Sequence, residues 1–210
     1  MNILVFGDSI TEGFFDHELA GWCNRLVQHG HHARSKDGQN VSVYNLGISG
    51  DNSNSLRLRF DTELTARVQS RNDTVLIAIG ANDSQFEIAT NQNRVELEEF
   101  EENIRYLVWQ AKKQVDRVFL ITILPVDDRL LNPMPWKPTH GYAQTFVDAY
   151  NEVLLKTSEE EKVQLMDIRG VFGDQIGSCL DDGIHPNAVG HQRIFERVKH
   201  VLEMEGILPI

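Results

Sequence analysis

The chain alternates short apolar runs with stretches in which apolar residues recur every third or fourth position. Asn2-Ile3-Leu4-Val5-Phe6 is the first run, and Ile3 to Phe6 predicts a strand. A helix is expected over about 19–28 and a second strand over 41–46. Leu56, Phe60, Leu64 and Val68 then recur every fourth residue, the spacing of a helix with one buried face. Residues 74–79 are continuously apolar, as a strand covered on both sides should be. The strongest helical pattern spans 95–114. Leu97, Phe100, Ile104, Leu107, Ala111 and Val115 mark its inner stripe, and Glu96, Glu98, Glu99, Glu101 and Glu102 face mostly solvent. Strands over 117–124, stopped by Pro125, and over 163–168 flank a helix over 142–157. The last helix starts after Pro186 and turns Ile194, Val198, Val201 and Leu202 inward. Five strands alternating with helices predict an α/β fold, a parallel sheet with helices on both faces.

Two stretches break the pattern. Residues 29–40, with Gly30, Gly38, His29, His31 and His32, read as a polar surface loop rather than a metal site, because no carboxylate or cysteine pattern accompanies the histidines. Residues 126–141 hold Pro133, Met134, Pro135, Trp136 and Pro138, and a loop of that length after a strand is often functional. No repeat, low-complexity tract or linker interrupts the chain, so residues 1–210 read as one domain.

Composition narrows the class. With 210 residues, 41% hydrophobic and 24% charged, the chain is long enough to bury a full core. A formal charge of −11 argues against nucleic acid or an anionic membrane as the main partner. No apolar run approaches the roughly 18 residues of a membrane span. The first residues carry no basic leader pattern, and Cys23 and Cys179 have no metal-ligand spacing. Free thiols in a reducing cytoplasm are the expectation. Oligomeric state is not legible.

The polar and glycine-rich segments fall at the carboxyl ends of the predicted strands, where an open parallel sheet binds ligands. Gly7-Asp8-Ser9 follows strand one, Asn45-Leu46-Gly47-Ile48-Ser49-Gly50 follows strand two, and Gly80-Ala81-Asn82-Asp83 follows strand three. Asp182-Gly183-Ile184-His185-Pro186 lies between strand five and the last helix. Each has a plain structural alternative. Ser9 or Asp8 could cap a helix, Gly47 and Gly50 could serve turns, Asn82 could be a turn residue, and Asp83 could cap the helix that follows. Asp182 and His185 are more specific. A spacing of three in a tight turn can set the carboxylate against the ring and leave the other ring nitrogen free to take a serine proton. Asp181 competes for that role, one residue farther from His185. His191 and His200 read as surface or boundary residues of the last helix, His17 and His140 as loop residues.

Taken together, in order and over nearly the whole chain, the four segments resemble the four sequence blocks of the GDSL esterase/lipase family of SGNH hydrolases. The family's G-D-S, glycine-donor, G-x-N-D and D-x-x-H-P blocks match Gly7–Ser9, Asn45-Leu46-Gly47, Gly80–Asp83 and Asp182–Pro186. The resemblance implies a three-layer α/β/α sandwich around a five-stranded parallel sheet, flavodoxin-like in arrangement. It implies ester hydrolysis with Ser9 as nucleophile, His185 as base and Asp182 as its orienting carboxylate. It also implies an oxyanion hole from the N–H groups of Ser9 and Gly47 and the side-chain amide of Asn82, and needs no cofactor or metal. Trp136 and Met134 are candidates to line the substrate pocket, and Asp8 is left without chemistry. Short-chain esterase, sugar deacetylase, thioesterase and lysophospholipase remain open. A non-catalytic, flavodoxin-like module for a nucleotide or small molecule is the competing class. It explains Gly7 to Gly13 but gives Asn82, Asp182 and His185 no purpose, and the chain has neither a P-loop lysine nor G-x-G-x-x-G.

Overall fold

The computed structural model describes residues 1–37 and 41–209. Its strands are β1 (Asn2–Gly7), β2 (Ser42–Gly47), β3 (Thr74–Ala78), β4 (Phe86–Glu87), β5 (Gln92–Asn93), β6 (Arg117–Ile121), β7 (His140–Gly141) and β8 (Gln164–Met166). Its helices are α1 (Ser9–Glu12), α2 (Gly21–Asp37), α3 (Ser53–Arg67), α4 (Leu97–Gln114), α5 (Asp128–Leu131), α6 (Gln144–Glu161), α7 (Ile176–Cys179) and α8 (Ala188–Met204). The main sheet runs β2-β1-β3-β6-β8, all parallel, and a small antiparallel sheet runs β5-β4-β7.

Strand alternation builds the layers. Leu4 and Phe6 face one side of the sheet and join Phe60, Leu64, Phe100, Ile104 and Leu154 from α3, α4 and α6. Ile3 and Val5 face the other side and join Trp22, Leu26, Ile194 and Val198 from α2 and α8. All six residues of β1 are buried, so the first strand is the spine of both cores. The predicted α/β/α sandwich is therefore the observed one. Register does the rest: Gly7 of β1 lies opposite Gly47 of β2 and Ala78 of β3, so three strands end level and their following turns share one edge.

The structure departs from the sequence reading at the loop over 29–40, at the end of β6, in the loop that follows it, and in the last strand, which is Gln164–Met166 and not 163–168. The expected polar loop over 29–40 is helical as far as Asp37, and 38–40 lie outside the described residues. Gly30 is buried there against β2: a side chain on it would meet Val41 O at 3.2 Å and Val43 Cγ2 at 3.4 Å. The glycine thus serves close helix–sheet packing instead of breaking the helix. Strand β6 stops at Ile121, not 124, because side chains take over the backbone bonds. Asn151 accepts from Ile123 N–H (2.8 Å) and donates to Ile123 O (3.1 Å). The loop after β6 is not structureless: it holds α5 and closes with β7 against β4. Among the described residues, no helix is long and apolar enough to cross a membrane.

Candidate active site

Ser9 opens α1, one residue after the end of β1. Glycine is required at position 7, since a side chain would strike Thr11 Oγ1 at 2.1 Å and Ala78 O at 2.7 Å. Asp8 is the helix cap, accepting from Ile10 N–H at 3.0 Å, which is the structural role left to it by the sequence. It is fully buried, and burial pushes its carboxyl up to about 7. Ser9 is therefore not the cap, and its hydroxyl lies 3.0 Å from His185 Nε2.

His185 sits on the turn before α8. Its Nδ1 is 2.6 Å from Asp182 Oδ2, while Asp182 Oδ1 accepts the N–H groups of Ile184 (3.0 Å) and His185 (2.7 Å). Burial raises the Asp182 carboxyl, but the hydrogen bonds from the His185 ring and backbone outweigh it and hold the group below the usual carboxylate range. An ionised Asp182 keeps the proton on Nδ1 and leaves Nε2 as the acceptor for the serine hydroxyl. Gly183 makes the turn possible with φ +94°. Asp181 is engaged elsewhere, accepting from Asn187 Nδ2 at 2.7 Å, so Asp182 is the carboxylate on the ring.

Aromatic rings brace the imidazole. Phe15 stacks on His185 (centroids 5.5 Å apart), and Phe14 meets it edge-on at 5.0 Å. Phe15 has φ +68°, a strained value for a bulky residue. Its loop is held by Asp16, which accepts from the N–H groups of Glu18, Leu19 and Gly21 and pairs with Arg25 in a buried ion pair at 2.9 Å. The loop is also held by His191, which corrects the sequence reading. His191 is fully buried, Nε2 donating to Phe14 O (3.1 Å) and Nδ1 accepting from Trp22 N–H (3.2 Å). The signal was present: His191 falls three residues before Ile194 on the inward stripe of α8.

The residues expected to hold an oxyanion bring a second correction. Gly47 ends β2 and is not among the residues lining the cleft, and its N–H is spent on Asn45 Oδ1 at 3.0 Å. A side chain there would strike Glu12 N at 2.2 Å, so this glycine serves packing. Gly50, three residues on, is the one in the cleft wall, with φ +83° and open space where a side chain would project. Asn82 lines the same cleft and donates from Nδ2 to Asp51 O at 2.9 Å. Asp83 does not cap a following helix. Its two oxygens accept the N–H of Ser53 at the start of α3 (2.9 and 3.1 Å), and burial raises it to about 6.

The cleft, about 200 Å³, brings together Ser9, His185, Gly50, Asn82, Met134 and Trp136. Met134 is buried and Trp136 is 52% exposed, so the two candidate pocket residues sit as wall and rim. His140 lies on β7 with Nδ1 against Thr139 Oγ1, and is not among the residues lining the cleft.

A sequence profile of the GDSL-like Lipase/Acylhydrolase family matches residues 5–193. The acetylxylan esterase of Geobacillus stearothermophilus is 26% identical over 159 residues, 72% of this chain and 67% of that protein. The isoamyl acetate-hydrolyzing esterase 1 homolog of Homo sapiens is 26% identical over 220 residues, 96% of this chain and 81% of that one. Among solved structures, a lipase/acylhydrolase from Enterococcus faecalis superimposes with a TM-score of 0.76 at 22% identity, covering 97% of this chain and 96% of the other. The Axe2 acetylxylan esterase of G. stearothermophilus gives 0.74 at 21%, covering 100% and 97%. At those identities the superpositions speak for the fold, while the profile spans all but the ends of the sequence. The chain belongs to the GDSL-like Lipase/Acylhydrolase family of carboxylic ester hydrolases.

Proposed function

We propose that this ester hydrolase works through a Ser9–His185–Asp182 triad and a covalent acyl-enzyme. The observation that carries the reading is the unbroken contact from Ser9 Oγ to His185 Nε2 (3.0 Å) and from Nδ1 to Asp182 (2.6 Å), opening on one cleft. Ser9 Oγ attacks the ester carbonyl as His185 takes its proton. The tetrahedral oxyanion is met by the N–H of Ser9, the N–H of Gly50 in place of Gly47, and the Asn82 amide. His185 returns the proton to the departing alcohol. A water, deprotonated by the same ring, then attacks the acyl-enzyme, and the acid leaves as Ser9 regains its hydrogen. Ser9→Ala should cut p-nitrophenyl acetate turnover by about 10⁴-fold or more while the circular dichroism spectrum is kept. Unchanged turnover would overturn the triad.

A short acyl group is the proposed substrate feature. The cleft, at about 200 Å³, lies below the usual range for drug-sized ligands. The names of both relatives above point the same way, to acetyl groups. A p-nitrophenyl series from acetate to dodecanoate should show kcat/KM falling with chain length; a rise beyond hexanoate would sink this part. The buried free thiols Cys23 and Cys179 support a reducing, cytoplasmic setting.

A further inference from the structure

Asn82 has a problem common to primary amides: a half-turn of its side chain swaps oxygen for nitrogen with almost no change of shape. Only one of the two orientations presents an N–H to an oxyanion. Two contacts select it. Nδ2 gives one hydrogen to Asp51 O, and Oδ1 accepts the hydroxyl hydrogen of Tyr142 at 3.3 Å. In the flipped orientation Oδ1 would face the Asp51 carbonyl oxygen, acceptor against acceptor.

Tyr142 is itself given a direction. Gln85 Nε2 donates to the Tyr142 oxygen at 3.1 Å, which turns the tyrosine's one hydrogen toward Asn82. Lys137 Nζ reaches Gln85 Oε1 at 3.4 Å and heads the chain with a positive charge. Tyr142 and Gln85 are buried, and burial pushes the phenol above its ordinary range, so it stays a donor.

The pairing follows from the small sheet. Phe86 of β4 lies opposite Gly141 of β7, so antiparallel register sets Gln85 beside Tyr142 one step out. The Tyr142 backbone is tied down as its N–H donates to Leu131 O at 3.1 Å. The segment after β6 therefore reaches the catalytic edge with one buried hydroxyl aimed at one amide.

We propose that Tyr142 is a positioning residue for Asn82, its hydroxyl fixing the end of the amide that faces the cleft, with Gln85 and Lys137 fixing the hydroxyl. The inference rests on the reading of Asn82 as an oxyanion donor. Tyr142→Phe should lower kcat for p-nitrophenyl acetate about tenfold with KM within about twofold, the loss expected of one orienting hydrogen bond. The same substitution in an Asn82→Ala background should lower kcat no further, because the group it positions is gone.

Three results overturn the inference, each recognisably. An unchanged kcat in Tyr142→Phe does so directly. A tenfold loss that persists in the Asn82→Ala background shows Tyr142 acting elsewhere. An Asn82→Ala variant that turns over normally removes the underlying reading, and is visible as such before Tyr142 is touched. Should Tyr142→Phe not fold, Gln85→Met goes through the same cycle, with the same loss expected and the same results overturning it.

Discussion

The two flanks of the proposed nucleophile Ser9, its proposed base side and its proposed oxyanion side, are assembled by different means. On the base side, Asp182 and His185 are three residues apart in one turn, and the carboxylate is pinned by backbone N–H groups of that turn. On the oxyanion side, Gly50 and Asn82 come from different strand ends. They are braced by Arg59, which bonds both Gly7 O (3.1 Å) and Asp51 (2.8 Å), and by Tyr142 from the far side of the small sheet. The base is a local device that a short stretch of sequence specifies almost alone. The proposed oxyanion site comes together only after the whole domain has packed.

The first way to break this contrast is at Asp182. Asp182→Asn can keep the turn but not the charge that stabilises a protonated ring. It is expected to cut kcat about 10⁴-fold, with stability close to wild type, measured as kcat and urea midpoint together. A loss of only tenfold would mean that the local device does not dominate. Asn82→Ala comes next. It should cost about 10²–10³ in kcat with KM little changed, because the donor acts on charge present only in the transition state. An equal rise in KM instead would place Asn82 in ground-state binding and erase the distinction between the flanks.

The same contrast explains what was legible in the sequence. Core strands and amphipathic helices write their own period, so the sandwich and its layers could be read from Ile3–Phe6, 74–79 and the stripe through Leu97, Phe100 and Ile104. The Asp182–His185 turn is local and was legible too. Gly47 and Gly50 look alike in Asn45-Leu46-Gly47-Ile48-Ser49-Gly50. They are told apart by what surrounds them, Glu12 N packed against one and open space beside the other. Tyr142 reads as no more than the start of a helix. Its role comes from the register of two-residue strands, β4 and β7, too short to leave any periodicity. The helix over 29–37 was hidden by Gly30, whose packing role against β2 cannot be distinguished from a break by composition.

His191 tests how far the base side depends on more than its own turn. Its ring must be neutral to donate to Phe14 O and accept from Trp22 N–H at once, and burial depresses its pKa to about 4. In the unfolded chain an imidazole titrates near 6.5. Between those values the unfolded state takes up a proton that the folded state refuses. The contribution is therefore complete above pH 6.5 and is lost as pH falls toward 4, by on the order of 3 kcal/mol. Other groups titrate over the same range. His29, also lowered by burial, pulls the same way, while Asp8 and Asp83, raised to about 7 and about 6, pull the other way. The quantity to measure is thus the difference between wild type and His191→Gln in urea midpoint at pH 7, 5.5 and 4. Glutamine keeps a donor and an acceptor but cannot take the proton. The variant should start less stable at pH 7 and close the gap on acidification. A gap that stays constant with pH would show that the buried ring is not what holds Phe14 and Phe15 against His185 through protonation-sensitive bonds, and would leave the base side as local as its sequence suggests.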